Sequence, residues 1–220
     1  MTGGFEPDAA RILPPAFFAR PTVTVARELL GKVLASRAGG ALTAGVIVET
    51  EAYLGSDDPG SHAATRGVTA RNRVMYGPPG CAYVYFTYGN HHMLNLVTEG
   101  EGVAGAVLVR AIEPVAGLGV MEARRPGRAD SELTNGPGRL ASALGIDLGH
   151  NGVTLGGEIA VYDAVGVDDE RVGASGRIGL SAGHDLPLRF YLSDNRYVSR
   201  ERTGPRSPKR AVGGQTRGTA

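Results

Sequence analysis

Residues 82–98, AYVYFTYGNHHMLNLVT, read as two β-strands folded back on one another. Two strand-like runs, residues 82–88 and 91–98, are separated by Gly89-Asn90, a two-residue signal for a type I′ or II′ hairpin turn. Alternation along the first run puts Tyr83 and Tyr85 on one face and gives Tyr88 the opposite parity, beside the tip.

The strand pattern continues on both sides of this hairpin. Upstream, residues 45–53 (GVIVETEAY) are β-branched and alternating, with Ile47, Glu49, Glu51 and Tyr53 on one face and Val46, Val48, Thr50 and Ala52 on the other. A helix is expected over residues 24–31 and a short strand over 32–35. Downstream, residues 106–112 form a further strand ending before Pro114. Helices follow over 117–125 and 137–145, the second with Asn135 as cap candidate and Pro137 in its first turn. Short strands close the pattern at 159–162, 172–180 and 188–192. Residues 55–80, rich in Gly, Pro, Ser, Asp and Arg, form a long loop of the kind that usually carries function. The expected architecture is α+β: one domain with a mixed, mainly antiparallel, curved sheet, surrounding helices and a protruding β-hairpin.

At 220 residues the chain has room for one substantial core. No run approaches the roughly 18 apolar residues of a membrane span, and the N-terminus has neither the basic start nor the apolar stretch of a signal peptide. A cytoplasmic protein is expected, nucleoid-associated if bacterial and nuclear if eukaryotic. Cys81 is the single cysteine, which excludes an intramolecular disulfide and any all-cysteine metal site. The total charge of +1 is unevenly placed: from Arg200 onward six basic residues face only Glu201, a net of +5, which leaves −4 on the rest. The body therefore lacks a broad electrostatic footprint for polyanions, and a local patch must carry any such binding. Residues 203–220 read as a basic, Gly- and Pro-rich disordered tail, with tethering to a polyanion as the alternative.

Glu51 and Tyr53 share a face of one strand, and His62, Tyr83, Tyr85 and Asn95 follow within about forty residues. A carboxylate beside aromatic walls suits hydrolysis of an N-glycosidic bond, because the sugar carbon becomes oxocarbenium-like while water must be deprotonated as it attacks. The same spacing is also met by an edge-strand glutamate and half-buried core tyrosines. Glu49 and Glu51, with Cα atoms about 6.6 Å apart on one strand, approach from the same side and do not flank a scissile bond. Only Lys32 and Lys209 are available for a Schiff base, neither well placed, so water is the expected nucleophile. Tyr88 at a hairpin tip suits a wedge between base pairs. Arg66, Arg71 and Arg73 lie within eight residues and can pin phosphates, and the helix start at residues 136–139, with Arg139, offers a further phosphate seat. Residues 100–105 (GEGVAG) match a dinucleotide fingerprint by letter but precede a strand, so a loop is expected. His62, His91, His92, Asp57 and Asp58 follow no metal-ligand spacing, and no metal or other cofactor is expected.

The segments VIVETEAYLGSDDPGSHA, ARNRVMYGPPGCAYVYFTYGNHHMLNLVT, VLVRAIEP, NGPGRLASALGI and LRFY together resemble the alkyladenine (3-methyladenine) DNA glycosylase family, over most of residues 14–192. The resemblance implies a base-excision repair enzyme occupying residues 1–202. It implies a monomer that flips alkylated or deaminated purines out of double-stranded DNA, cleaves the glycosidic bond without lyase activity and leaves an abasic site. By the same resemblance Glu51 is the general base, Arg110 helps position the water, and a main-chain carbonyl near Leu180 is a third partner. Tyr53 and Tyr85 sandwich the base, His62 closes the pocket, Tyr88 intercalates in the minor groove, and Asn95 rejects the exocyclic amine of guanine. The loop over residues 99–105 is about two residues longer than in the human-type pattern. A non-catalytic nucleic-acid-binding module and a small-molecule nucleoside hydrolase are the competing classes.

Overall fold

The computed structural model describes residues 5–87, 89–164 and 166–199, and the backbone alone at Thr65 and Arg66. Tyr88, the side chain of Arg66 and the 203–220 tail lie outside the described residues. In chain order the strands are β1 (Val33–Ser36), β2 (Thr43–Tyr53), β3 (Ala82–Thr87), β4 (His91–Val97), β5 (Ala106–Ala116), β6 (Ile159–Tyr162), β7 (Val172–Ser175) and β8 (Arg189–Leu192). The α-helices are α1 (Pro15–Phe18), α2 (Thr22–Glu28), α3 (His62–Arg66), α4 (Leu118–Arg124), α5 (Asp130–Leu133) and α6 (Pro137–Leu144). The strands make one open eight-stranded sheet in the order β3-β4-β5-β2-β1-β6, with β8 joining both β2 and β7. Every described pairing is antiparallel.

Alternation assigns each strand a buried face. Ala82, Val84, Leu94, Leu96, Val107, Val109 and Ala52 enter the main core together with Val25, Ala26 and Leu29 from the α2 region, Met121 of α4 and Leu133 of α5. Helix α6 adds Leu140, Ala141, Ala143 and Leu144. Pro137 occupies its first turn and Gly145, at φ 72°, terminates it in the left-handed region. Each fully buried leucine contributes about 1.5–3 kcal/mol, so the helical layer holds that face shut. On the opposite face the β3–β4–β5 region packs Tyr83, Val97 and Ala106 against Met75, Ala63 and Ala104 in a smaller cluster.

Strand β2 departs from strict alternation. Its register against β5 shifts on either side of Glu49, a bulge that sends both Ile47 and Val48 into the main core. Ile47 therefore does not share the face of Glu49 and Glu51. A bulge bends its strand and increases the local twist. Here β2 pairs with β1 up to Val46 and with β8 from Glu49 to Glu51, so one long strand serves two neighbours along the same edge.

Strand β5 runs on to Ala116 instead of stopping before Pro114. Its pairing with β4 ends at Leu108, so Pro114 lies where β5 has a strand on one side only and no second ladder needs its missing N–H. The strand expected over 172–180 stops at Ser175; at Gly176 the backbone of His184 passes so close that an added Cβ would stand 2.0 Å from its carbonyl oxygen. The loop over residues 55–80 contains α3 and a 3₁₀ turn, Arg73–Tyr76. The segment 100–105 is a loop leading into β5, and Glu99 before it is tied to the start of α2 by accepting hydrogen bonds from the Thr22 N–H and hydroxyl at 2.7 and 2.8 Å.

Candidate active site

The sheet register brings the candidate residues into one row. Tyr83 opposes Asn95, Asn95 opposes Leu108, Leu108 opposes Glu51 and Glu51 opposes Arg189. Directly opposed residues of antiparallel strands share a face, so side chains from five strands project together on the side away from the main core. Tyr53, Tyr85 and Glu49, two positions along their strands, join them.

A pocket opens beside this row, and Tyr53, His62, Tyr83, Tyr85, Asn95 and Leu180 all line it. Gly60, Met75 and Ala106 complete the wall. His62 opens α3, whose N-cap Ser61 accepts a hydrogen bond from the Ala63 N–H. Its Nδ1 lies 3.0 Å from the Tyr83 hydroxyl, and its ring meets Tyr85 edge-on, with centroids 4.6 Å apart. Burial, with the nearby charge of Arg71, pushes the imidazole pKa down, so His62 is neutral at pH 7. Burial pushes Tyr83 up to about 12 against the opposing influence of Arg71. The Asn95 amide donates to the Tyr83 carbonyl at 3.0 Å, which fixes its orientation in the wall.

Glu51 is fully buried behind Tyr53. Its Oε1 accepts from the Ile178 N–H at 2.8 Å and lies 3.0 Å from Arg110 Nη1, while Oε2 accepts from the Tyr53 hydroxyl at 2.8 Å. Burial and the neighbouring Glu51 charge hold the Tyr53 pKa well above the ordinary phenol value, so it stays a donor. Glu51 itself is not part of the pocket lining: Tyr53, which does line it, stands between the carboxylate and the pocket.

Glu49 is arranged differently. Its Oε1 accepts from Arg110 Nε, Arg189 Nε and the Ser199 hydroxyl, each at 2.7 Å, and its Oε2 from the Ser199 N–H at 2.6 Å. Burial would raise its pKa, but the charges of Arg110 and Arg189 and these hydrogen bonds more than offset that and hold it below the usual carboxylate range. Burial likewise opposes the charge on Arg110, and Glu51 and Glu49 outweigh it to hold the guanidinium pKa above its ordinary value. Arg110 thus bridges two carboxylates of one strand with a fixed positive charge.

The cationic loop divides. Arg71 lies over the Tyr85 ring, 4.9 Å from its centroid, and Nη2 reaches the Phe86 carbonyl at 3.3 Å, so it backs the pocket wall. Arg73 is exposed on its 3₁₀ turn. Between them Asn72 is buried and ties the loop together, donating to the carbonyls of His62 and Gly67. Arg139 sits apart from the pocket on α6, 2.6 Å from Asn135 Oδ1 and 3.7 Å from Glu132. The neighbouring Gly138 packs against His91 at the start of β4, which places the first turn of α6 near the hairpin end.

Sequence reasoning missed Ile178, Ser199, Arg189 and the Asp58–Arg177 pair. Among the described residues no contact bears on the main-chain carbonyl expected near Leu180; in that segment the Ile178 N–H donates to Glu51, and Leu180 contributes to the pocket wall. Asp58 and His62, considered among metal ligands, are engaged with Arg177 and Tyr83 respectively. Among the described residues no helix is long and apolar enough to cross a membrane.

The pattern of the family described as Methylpurine-DNA glycosylase (MPG) matches residues 16–196. A relative from Carboxydothermus hydrogenoformans is 48% identical over 192 residues, 86% of this chain and 100% of its own length. One from Methanoculleus marisnigri is 50% identical, covering 86% of this chain and 98% of its own, and one from Chlorobaculum tepidum 44%, covering 90% and 95%. All three bear the name "Putative 3-methyladenine DNA glycosylase".

Proposed function

Since the chain belongs to the methylpurine-DNA glycosylase family, we propose that it removes alkylated purines from duplex DNA by direct hydrolysis, with Glu51 as the base that activates water. 3-Methyladenine and 7-methylguanine are the primary substrates, and hypoxanthine and ethenoadenine the neutral ones. The observation that carries this reading is the unequal use of the Glu51 oxygens. Oε1 is held by Arg110 and the Ile178 N–H, whereas among the described residues Oε2 meets only a phenol of the pocket wall. On this reading water must reach Oε2, which lies behind Tyr53, when a flipped base enters the pocket.

Alkylation places positive charge on the base, which improves the leaving group and favours it between electron-rich tyrosine faces. Tyr53 and Tyr85 supply those faces, His62 the far wall, and Asn95 the group that meets the purine edge. As the sugar becomes oxocarbenium-like, Glu51 takes the proton of the attacking water, and the charge of Arg110 keeps the carboxylate in place. Release of the base leaves an abasic site. Extruding a nucleotide costs a few kcal/mol; stacking on the tyrosines returns about 1–3 kcal/mol per contact, and Tyr88 is assigned the wedge. Arg66, Arg73 and Arg139 are assigned to phosphates.

Incubation of the protein with methylated duplex DNA tests this reading. Free methylpurines and alkali-labile sites are the expected products. Binding without release would identify a non-catalytic module, and cleavage of free nucleosides in preference to DNA a nucleoside hydrolase.

A further inference from the structure

Asp58 and Arg177 form an ion pair that the hydrolysis itself does not use. The two residues are 2% and 3% exposed. The guanidinium meets the carboxylate end-on, with Nη1 2.5 Å from Oδ2 and Nη2 2.5 Å from Oδ1, and also donates to the carbonyls of Ala52 and Gly183. The N–H groups of Leu54 and Gly60 donate to the same carboxylate. Burial would raise the Asp58 pKa, but these partners outweigh it and hold the group ionised. Arg177 Cζ lies 4.7 Å from the centroid of the Tyr53 ring. Tyr53 lines the pocket and Arg177 does not, so the guanidinium backs the ring from outside.

Two consequences follow from this placement. The pair clamps residues 177–180 to the loop after β2, which aims the Ile178 N–H at Glu51 and sets Leu180 against Gly60. It also decides what charge stands behind Tyr53. A cationic purine stacked on the open face would lie roughly 8 Å from the Arg177 guanidinium, taking a stacking gap of about 3.5 Å. At that distance and an effective dielectric of about 20, an unbalanced guanidinium would disfavour a cationic base on the order of ten- to thirtyfold, and a neutral base hardly at all.

We propose that Asp58 is a positioning residue with a second role in lesion choice: by cancelling the charge of Arg177 behind Tyr53, it lets the pocket accept a positively charged purine. This rests on the reading of the pocket as a seat for alkylated purines.

The test is single-turnover excision from duplexes carrying one 7-methylguanine, which is cationic, or one hypoxanthine, which is neutral. Asp58→Asn should slow both, because the 177–180 segment loosens, and should slow 7-methylguanine about tenfold more. The double variant Asp58→Asn/Arg177→Gln, neutral on both sides, should return the ratio between the two lesions to the wild-type value. Equal losses in Asp58→Asn, or a ratio that stays shifted in the double variant, would overturn the charge role. If Asp58→Asn does not fold, Arg177→Gln alone decides the matter: it leaves a negative charge behind Tyr53 and should shift the ratio towards 7-methylguanine, and an unmoved or reversed ratio rejects the proposal. Where only one lesion is released, the ratio is read from competitive binding in the Glu51→Gln background. Wild-type protein that excises neither lesion refutes the reading of the pocket, whereas wild-type excision with an unmoved ratio refutes only this inference.

Discussion

Glu49 and Glu51 stand two positions apart on β2 and meet the same guanidinium, yet their oxygens have different work. On the proposed mechanism Glu51→Gln keeps the shape of the site and removes the group proposed as base: excision should fall at least a hundredfold, in the range typical of general bases, while a damaged duplex still binds, as a gel-shift assay beside a release assay will read. Glu49→Gln should act through stability. Loss of its charge leaves Arg110 and Arg189 without their shared partner, and breaking a buried pair costs about 3–5 kcal/mol, which a thermal melt will register. His62 sets a pH dependence of a definite sign. Its folded pKa lies below the ordinary value, so under mildly acidic conditions the unfolded chain binds the proton more readily. Stability is therefore intact above about pH 6.5 and declines as pH falls from there towards the folded pKa. Melting temperatures measured from pH 8 to pH 5 should drop more steeply for the wild type than for His62→Gln. The pocket tyrosines and the Glu51 behind them were readable from sequence because Tyr83, Tyr85, Glu51 and Tyr53 obey strand parity and lie close together along the chain. Arg177 was not: it stands over a hundred residues from its partner Asp58, in a loop without periodicity, and only the folded chain brings them together.

At the level of elements, the site is a meeting of a regular sheet and two irregular loops. The hairpin was legible because its turn signal and its alternation agree. Strand β2 was legible only in part, since the bulge around Val48 that lets one edge serve both β1 and β8 leaves no mark in a run of β-branched residues. Strand β5 outran its expected end because the hindrance of Pro114 depends on whether a second neighbour is present, which is a property of the sheet. The two loops interlock at Gly60, where an added Cβ would come within 2.6 Å of Arg177 Nη2 and 2.7 Å of Leu180 Cδ1. Gly60→Ala should therefore cost about 1–3 kcal/mol of stability by overpacking. It should also press Leu180 towards the pocket, so that KM for a methylated duplex rises more than kcat falls. A melting curve and steady-state kinetics on the same preparation separate the two effects, and an unchanged KM would show that the loops yield without narrowing the pocket.

Across the whole molecule, chemistry and charge are kept apart. The family match ends at residue 196, before the strongly basic end of the chain, and the fold and pocket lie within it. That portion carries the negative balance, and its best-placed cations, Arg110, Arg177 and Arg189, are spent on Glu49, Glu51 and Asp58. A DNA partner therefore gains little long-range attraction from the body, and the cations of residues 203–220, Arg206, Lys209, Arg210 and Arg217, become the natural source. Each phosphate neutralised on a duplex contributes about 0.9 to the slope of log affinity against log salt. Removing residues 203–220 should flatten that slope by up to about 3.6 and weaken binding most at low salt. The single-turnover rate at saturating DNA should stay the same, because no residue of the pocket has been touched. A slope identical in both proteins would mean that these cations do not meet phosphate and that the loop arginines of the body carry the contact alone.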